Sequence, residues 1–451
     1  MILERYNSLK SSHWFIPLLF ILITFFGAMT TIYFENMFTH ASFPFLPEPL
    51  FTSYNTGETI LRTLFTSLFT LVLISFSVTL VVLTTYLSNY SPRIIQSFLQ
   101  DPFTSKVLGI FLGGIFYVIM LWLNLKETNE GQLYISPAFS IVYSIVCLIY
   151  FVLFISHTIS WLKVTNIVER ITNETLLTIK NNRNTITSNI IKKKESLQTE
   201  NTKLFAAKRV FSIRSGYIHD VDIQKLLEMA IQDNIIVKVE KNSGDYVDET
   251  TVLLSYYKNS KIAEKKYIDT VMIGAHRSSK YDIEYGIQKL VEIALRSLAT
   301  MVNDPYTASV CINKLGKVLS VLAKDYEADP LYFDQHNNLR IITEKPPYSF
   351  YLYRSLYQIR PHAKEDVSIL AEILHSLSIA AEGNNQKIKD ELWKFGRYVL
   401  RGFNFSVAND LDYKFINNKY KLLADKTNYQ ASYRPIEKHS LTHLNDQEIM
   451  D

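Results

Sequence analysis

The hydrophobic pattern divides the chain into an apolar first third and a more polar remainder. Four runs in the first third contain no Asp, Glu, Lys or Arg, namely Ser11–Phe34, Thr63–Pro92, Val107–Leu125 and Ser136–Leu162. Each run reaches about the 20 residues that a helix needs to cross roughly 30 Å of hydrocarbon. The pattern therefore predicts a transmembrane domain over residues 1–162, with helices at about residues 13–34, 63–88, 107–125 and 136–162.

The basic residues near these runs predict how the helices cross the membrane. The segment before the first run, the connection between the second and third runs and the segment after the fourth run carry basic residues, whereas the other two connections are mainly acidic. The basic residues are Arg5, Lys10, Arg93, Lys106, Lys163 and Arg170. Because basic residues favour the cytoplasmic side, we expect a multi-pass membrane protein with both termini in the cytoplasm. The first run could instead be a cleaved signal peptide with Arg5 and Lys10 as its basic region.

Beyond Leu162 the pattern becomes that of a water-soluble α/β (α+β) domain. We expect a helical linker over residues 163–204, the α+β domain over 205–426 and a disordered tail over 427–451. Alternation and turn signals predict strands at residues 211–217, 235–240, 251–257 and 267–274, followed beyond Asp325 by a turn or hairpin. Helical periodicity predicts helices at 222–231, 281–301, 364–381 and 387–400, and one that Asp304 caps and Pro305 begins. The fold class is thus a membrane domain of four transmembrane helices followed by a cytosolic α/β domain.

Polar side chains inside the apolar runs fall on helical stripes. The candidate intramembrane polar residues are Ser77, Thr84, Ser144 and His157. The third run contains Gly109-x-x-x-Gly113-Gly114, which lets another helix approach closely. The stripes are explained either by helix packing or by a polar pathway built from several subunits. The runs lack acidic residues and arginine, which argues against a proton-relay pump or a voltage sensor.

Composition and motifs exclude several classes of protein. A net charge of +4 over 451 residues, with no strongly basic face, argues against a nucleic-acid partner. The two cysteines, Cys147 and Cys311, have no partner at metal or redox spacing. No phosphate loop, His-Glu-x-x-His or Gly-x-Ser-x-Gly sequence is present. We therefore expect no cofactor and no metal site, and we assign no catalytic residue.

Charged residues concentrate between Arg277 and Thr307. They can be explained as a capped, salt-bridged helix pair, in which Glu292 and Arg296 lie four residues apart. They could also form a pocket for a small anionic ligand with arginine donors. The candidate ligand-binding residues are Arg277, Asp282, Arg296, Asn303, Asp304 and Thr307.

Several short motifs recur in a fixed order along the chain. They are Ser91-Pro92-Arg93, Gly216-Tyr217, Gly244-x-Tyr246-Val247, Gly274-x-x-Arg277, Asp282, Arg296 and Asn303-Asp304-Pro305-x-Thr307-Ala308. With four leading membrane spans, this order resembles the bacterial predicted-membrane-protein family catalogued as a domain of unknown function. The resemblance implies an integral membrane protein and supplies no activity.

These observations favour a channel-like or transport-associated homo-oligomer in the lipid bilayer, with a cytosolic domain for sensing or assembly. A membrane-anchored ligand-binding module or enzyme is the alternative, and a structural scaffold is a third hypothesis.

Overall fold

The computed structural model describes residues 15–37, 50–89, 101–126, 133–187, 208–257, 263–299, 303–324 and 331–437. The chain divides into two compact units, Met1–Lys163 and Val164–Asp451. The motif Ser91-Pro92-Arg93 lies outside the described residues, as do residues 188–204 of the expected linker and residues 438–451 of the expected tail.

The described residues of the first unit form four long helices. They are α1 (Phe15–Met37), α2 (Tyr54–Asn89), α3 (Pro102–Asn124) and α4 (Ser136–Leu162). All four are long and apolar enough to cross a membrane, as the sequence predicts. α2 begins before the predicted start near Thr63, because a polar first stretch continues the helix and carries the Glu58–Arg62 ion pair at 2.6 Å.

α3 lies at the centre of this unit. Half of the residues in its apolar 18-residue stretch are buried (50%), against 17–22% in the corresponding stretches of the other three helices. Its glycines allow the close approach that the sequence predicts: a Cβ at Gly113 would lie 2.9 Å from Thr24 Cγ2 on α1. On the other side of α3, a Cβ at Gly114 would lie 2.8 Å from Tyr143 Cε1 on α4. Neighbouring glycines therefore serve two different helix contacts.

Two small sheets form one part of the second unit. The strands are β1 (Lys208–Phe211), β2 (Gly216–Val221), β3 (Ile236–Val239), β4 (Tyr246–Val247), β5 (Val252–Tyr257), β6 (Val271–Gly274), β7 (Leu331–Phe333) and β8 (Leu339–Thr343). One sheet has the order β1-β5-β3-β8-β7 and the other β4-β2-β6. All pairs are antiparallel except β3–β8. Two helices, α6 (Ile223–Gln232) and α7 (Glu264–Ile268), accompany the sheets.

The single strand predicted over residues 211–217 is wrong. The chain turns after Phe211 and enters the other sheet at Gly216. The hydroxyl of Ser212 donates to the carbonyl of Arg214 at 2.6 Å, which closes this turn. The Ser215-Gly216 dipeptide within this stretch is a turn signal that sequence reasoning missed. The hairpin expected beyond Asp325 is confirmed by the antiparallel pair β7–β8.

The remaining part of the second unit is a helix assembly. It contains α5 (Val164–Thr187), α8 (Ile283–Ser297), α9 (Pro305–Ala323), α10 (Tyr348–Leu356), α11 (Val367–Ala381), α12 (Gln386–Arg401) and α13 (Asp410–Thr427). The apolar α11 packs against α9, α12 and α13, and its central leucines and isoleucines are fully buried. α8 packs against α5, α9 and α10.

Two elements differ from the sequence-based expectation. α5 was expected to be a linker, but its apolar side is buried and the helix packs against α8 and α9. Residues 427–437, with which the expected disordered tail begins, include packed side chains, since the ring of Tyr429 stacks on Trp393 with 5.3 Å between ring centroids. The polar composition near the C-terminus concealed both α13 and these aromatic contacts.

Candidate functional site

Four charged side chains of the second unit form a continuous ion cluster, Asp282–Arg277–Glu284–Arg354. Arg277 Nε donates to Asp282 Oδ2 at 2.6 Å, and Arg277 Nη2 donates to Glu284 Oε2 at 3.1 Å. The other oxygen of Glu284 accepts a hydrogen bond from Arg354 Nε at 2.8 Å. The cluster therefore connects the loop before α8, the first turn of α8 and α10.

Asp282 has a second role as the N-terminal cap of α8. Its Oδ1 accepts a hydrogen bond from the backbone N–H of Tyr285 at 3.0 Å. Burial raises the pKa of Asp282, and the charge of Arg277 opposes that shift. Two carboxylates already bind Arg277 and neutralise its charge, so little positive charge remains to attract an added anion. The geometry thus favours a structural ion cluster over a pocket for an anion.

Four of the motifs that carry the family resemblance meet at or beside this cluster, namely Gly216-Tyr217, Gly244-x-Tyr246-Val247, Gly274-x-x-Arg277 and Asp282. In the three-stranded sheet, Tyr217 of β2 pairs with Tyr246 of β4 on one side and with Gly274 of β6 on the other. Gly244 has φ +95°, a conformation that favours glycine, and a Cβ there would lie 2.9 Å from Arg277 Nη2. Residues far apart in sequence therefore meet where the sheet adjoins α8.

A second polar group lies in the same loop, on the side of α5. Ser279 Oγ donates to Glu174 Oε2 at 2.8 Å, and its backbone carbonyl accepts from the hydroxyl of Thr178 at 2.7 Å. Lys289 Nζ lies 3.4 Å from Ser279 Oγ, and Lys289 is only 4% exposed. Burial lowers the pKa of Lys289, opposed by the charges of Glu174 and Glu292.

Sequence reasoning missed Lys289 as a functional candidate. The residue lies within the helix whose apolar spacing was used to predict a buried face, and no motif includes it. The burial of the Lys289 amine depends on the packing of α5 beside it, and the sequence did not predict that packing.

The six residues predicted to bind a ligand do not form one cluster. Asp282 and Arg296 cap and end the same helix, so their 14-residue separation (296 − 282) corresponds to about 21 Å along its axis. Asp304 Oδ1 accepts from the backbone N–H of Thr307 at 3.1 Å and caps α9, as the sequence predicts. Asn303, with φ +43°, lies in the connection between the two helices. Of the six, Arg277 and Asp282 meet in the ion cluster, whereas Asp304 and Thr307 meet only in the cap of α9.

The predicted intramembrane polar residues fall into two groups. Ser144 is buried and its hydroxyl donates to the carbonyl of Ser140 at 2.8 Å, as expected for helix packing. His157 Nε2 lies 2.9 Å from Oδ2 of Asp101. Ser77 and Thr84 lie on the exposed side of α2.

Two buried carboxylates of the first unit were missed. Glu35, at the end of α1, accepts hydrogen bonds from the backbone N–H groups of Ile135 and Ser136 at 2.9 and 3.0 Å, and so caps α4 from another helix. Asp101 caps α3. Sequence reasoning gave neither residue a structural role, although Asp101-Pro102 is a recognisable helix start.

α2 carries an exposed stripe of hydroxyl groups. Thr63, Thr70, Ser77 and Thr84 recur every seven residues and all are exposed. Seven residues are close to two helical turns, so these positions share one face. We call this set the α2 hydroxyl stripe.

The chain is similar to a family of predicted membrane proteins over most of its length. The model of the family described as predicted membrane protein (DUF2254) matches residues 10–378. The uncharacterized protein Rv1290c of Mycobacterium tuberculosis and the uncharacterized protein Mb1321c of Mycobacterium bovis are each 27% identical over 323 residues, which is 68% of this chain. The chain spans about 60% of the length of these relatives. No solved structure matches.

Proposed function

Since the chain belongs to the DUF2254 family of predicted membrane proteins, we propose that it is a channel-like homo-oligomer in which α2 helices of several copies line a polar passage. The second unit serves this assembly as a sensing or assembly domain. We further propose that the protein lies in the bacterial plasma membrane with both termini in the cytoplasm. The distribution of basic residues along the first third supports this orientation.

The observation that carries the proposal is the α2 hydroxyl stripe. The stripe lies on the side of α2 opposite to the buried residues that pack within the unit, namely Leu61, Leu68, Val72 and Val82. A seven-residue repeat is the spacing by which one helix presents a continuous seam to identical helices. Hydroxyl groups support interhelical contacts and can line a wet passage, whereas apolar side chains suit lipid.

The hydrogen bonds of the stripe indicate which solutes would pass. The hydroxyls of Thr63 and Thr70 donate to backbone carbonyls of α2, those of Thr59 and Thr66, at 2.7 and 2.8 Å. The hydroxyl of Thr84 donates to the carbonyl of Val81 at 2.8 Å. Because these protons are used within the helix, the oxygens present lone pairs to the outside. Such a passage favours small cations or hydrogen-bond donors over anions.

Flux measurements on the full-length protein in proteoliposomes test the proposal. We expect potassium or sodium flux above that of empty liposomes, and a reversal potential that favours the cation over chloride. Replacing Thr70 and Ser77 together by Val and Ala should reduce the flux at least several-fold. Thr79→Val is the matched control, since Thr79 lies on roughly the opposite side of α2 and its hydroxyl donates to Ser75 at 2.8 Å.

Two results would contradict the proposal. Flux no greater than that of empty liposomes across ions and small solutes would argue against a channel. Equal loss in the Thr79→Val control would show that the stripe has no special role. Orientation is tested separately: a fluorescent protein fused to Asp451 should fluoresce, and alkaline phosphatase fused there should be inactive.

A further inference from the structure

α5 directly follows the last membrane span in the chain. Lys163 alone separates it from α4, and Lys163 has an extended backbone (φ −77°, ψ 113°) that interrupts the helix. Within the second unit, α5 is held close to α8, because a Cβ at Gly286 would lie 3.0 Å from Cβ of Thr175. An ion pair between Glu169 and Lys314 also joins α5 to α9. α5 is therefore well placed to pass a displacement on to α8 and α9.

The loop of residues 275–282 is bound to α5 on one side. The hydroxyl of Thr178 donates to the carbonyl of Ser279 at 2.7 Å, and Ser279 Oγ donates to Glu174 Oε2 at 2.8 Å. Thr178 and Ser279 are 2% and 5% exposed, so water cannot readily replace these bonds.

The same loop is bound to α8 and α10 on its other side. Arg277, two residues before Ser279, binds both Asp282 and Glu284, and Glu284 binds Arg354 of α10. On the side of the three-stranded sheet, Gly244 lies so close to Arg277 and Asp282 that no free space remains beside the loop. A movement of α5 must therefore either break the buried hydrogen bonds between α5 and the loop or move Arg277 together with the loop.

We propose that the loop of residues 275–282 is a coupling joint between α5 and the ion cluster. Displacement of α5 weakens the contact of Arg277 with Glu284 and hence that of Glu284 with Arg354 of α10, and opening of the ion cluster loosens α5. In this joint Thr178, Ser279 and Arg277 are positioning residues. The proposal concerns the second unit alone and stands whether or not the protein conducts solutes.

A coupling joint differs from a simple packing contact in one measurable respect. Coupling between two sites is reciprocal, so a change at either end must affect the other end by a similar factor. A packing contact would instead loosen only its own surroundings, or would destabilise the whole unit evenly.

Hydrogen exchange followed by mass spectrometry tests this in the full-length protein in lipid nanodiscs. Thr178→Val removes the hydroxyl with little change in shape, and should raise amide exchange about three- to tenfold in residues 275–284 and in α10, as expected for the loss of a buried hydrogen bond. Arg354→Gln, at the other end, should raise exchange in α5 around residues 171–180 by a similar factor.

Thr172→Val is the matched control. Thr172 is fully buried on the same helix, and its hydroxyl donates to the carbonyl of Val168 at 2.7 Å within α5. This variant should leave exchange in residues 275–284 and in α10 at the wild-type level. The proposal is overturned if Thr178→Val affects only α5 and the loop, if Arg354→Gln leaves α5 unchanged, or if the control gives the same pattern as Thr178→Val.

Discussion

The imidazole Nε2 of His157 lies 2.9 Å from the carboxylate Oδ2 of Asp101, and this contact ties α4 to the first turn of α3. The same carboxylate oxygen accepts a hydrogen bond from the backbone N–H of Thr104 at 3.0 Å. The ring of Phe103 packs on the imidazole with 4.6 Å between centroids. One aspartate thus both caps a helix and fixes its neighbour.

Replacing His157 with Phe should destabilise the first unit by about 1–2 kcal/mol. Phe can preserve the contact with Phe103, whereas the hydrogen bond to the buried carboxylate of Asp101 is lost. Thermal unfolding of the detergent-solubilised full-length protein measures this. His157→Gln, which retains an amide donor, should lose less stability. Equal stability of His157→Phe and wild type would show that the contact contributes nothing.

Replacing Glu35 with Ala should also destabilise the first unit, by about 1–2 kcal/mol. The carboxylate accepts hydrogen bonds from the first N–H groups of α4, and its negative charge interacts favourably with the positive end of the helix dipole. Its removal therefore leaves buried donors without that acceptor. Glu35→Gln, which keeps an oxygen acceptor but loses the charge, should have a smaller effect.

The control for Glu35 is Glu58→Ala. Glu58 forms an ion pair with Arg62, whose side chain is 66% exposed, and exposed ion pairs of this kind contribute little. Thermal unfolding of both variants under the same detergent conditions should separate them clearly. If Glu58→Ala destabilises the protein as much as Glu35→Ala, the cap has no special importance.

Hydrophobic runs predicted the helices of the first unit well because length and lack of charge are properties of single segments. The positions of Glu35 and Asp101 could not be predicted in this way. Both residues lie outside the apolar runs, and their burial depends on which helices are neighbours. Tertiary packing, rather than local pattern, turns a connection residue into a buried cap.

The candidate site shows the same limit. The cap at Asp304 followed from local spacing and is confirmed, whereas the cap at Asp282 is a finding of the structure, because the predicted helix began at residue 281. The contact between Arg277 and Arg354 through Glu284 joins residues from three elements, and no periodicity connects position 284 to position 354. Proximity in sequence suggested that Arg296 joins the cluster, but the length of α8 places it at the opposite end.

Gly113→Ala should lower the stability of the first unit by about 1–3 kcal/mol, as overpacking does. The added methyl group would meet Thr24 of α1 at 2.9 Å. Gly27→Ala is the matched control, because its nearest neighbour, Tyr117 Cε2, lies 3.9 Å away. Gly27→Ala should be neutral or slightly stabilising, since alanine favours the helix. Thermal unfolding that ranks the two variants in the opposite order would contradict this account of α3.

Lys289→Met should stabilise the second unit near neutral pH by about 1–3 kcal/mol, because a buried ammonium is replaced by an apolar chain of similar size. Burial lowers the pKa of Lys289 in the folded protein, so the folded state loses the proton at a lower pH than the unfolded chain does. Wild-type stability relative to Lys289→Met should therefore rise as the pH passes from the lowered pKa toward about 10.4, the ordinary value for lysine.

Denaturant unfolding of the full-length protein at several pH values, followed by a probe of the second unit, measures this difference. Lys280→Met is the control for the loss of a lysine charge, because Lys280 is exposed. A gap between Lys289→Met and wild type that stays constant with pH would show that the ammonium of Lys289 bears no burial cost. A gap that widens with pH would mean that the folded protein holds the proton more tightly than the unfolded chain. In that case Glu174 and Glu292 would outweigh the burial of Lys289, and the polar group beside α5 would be an ion cluster in its own right.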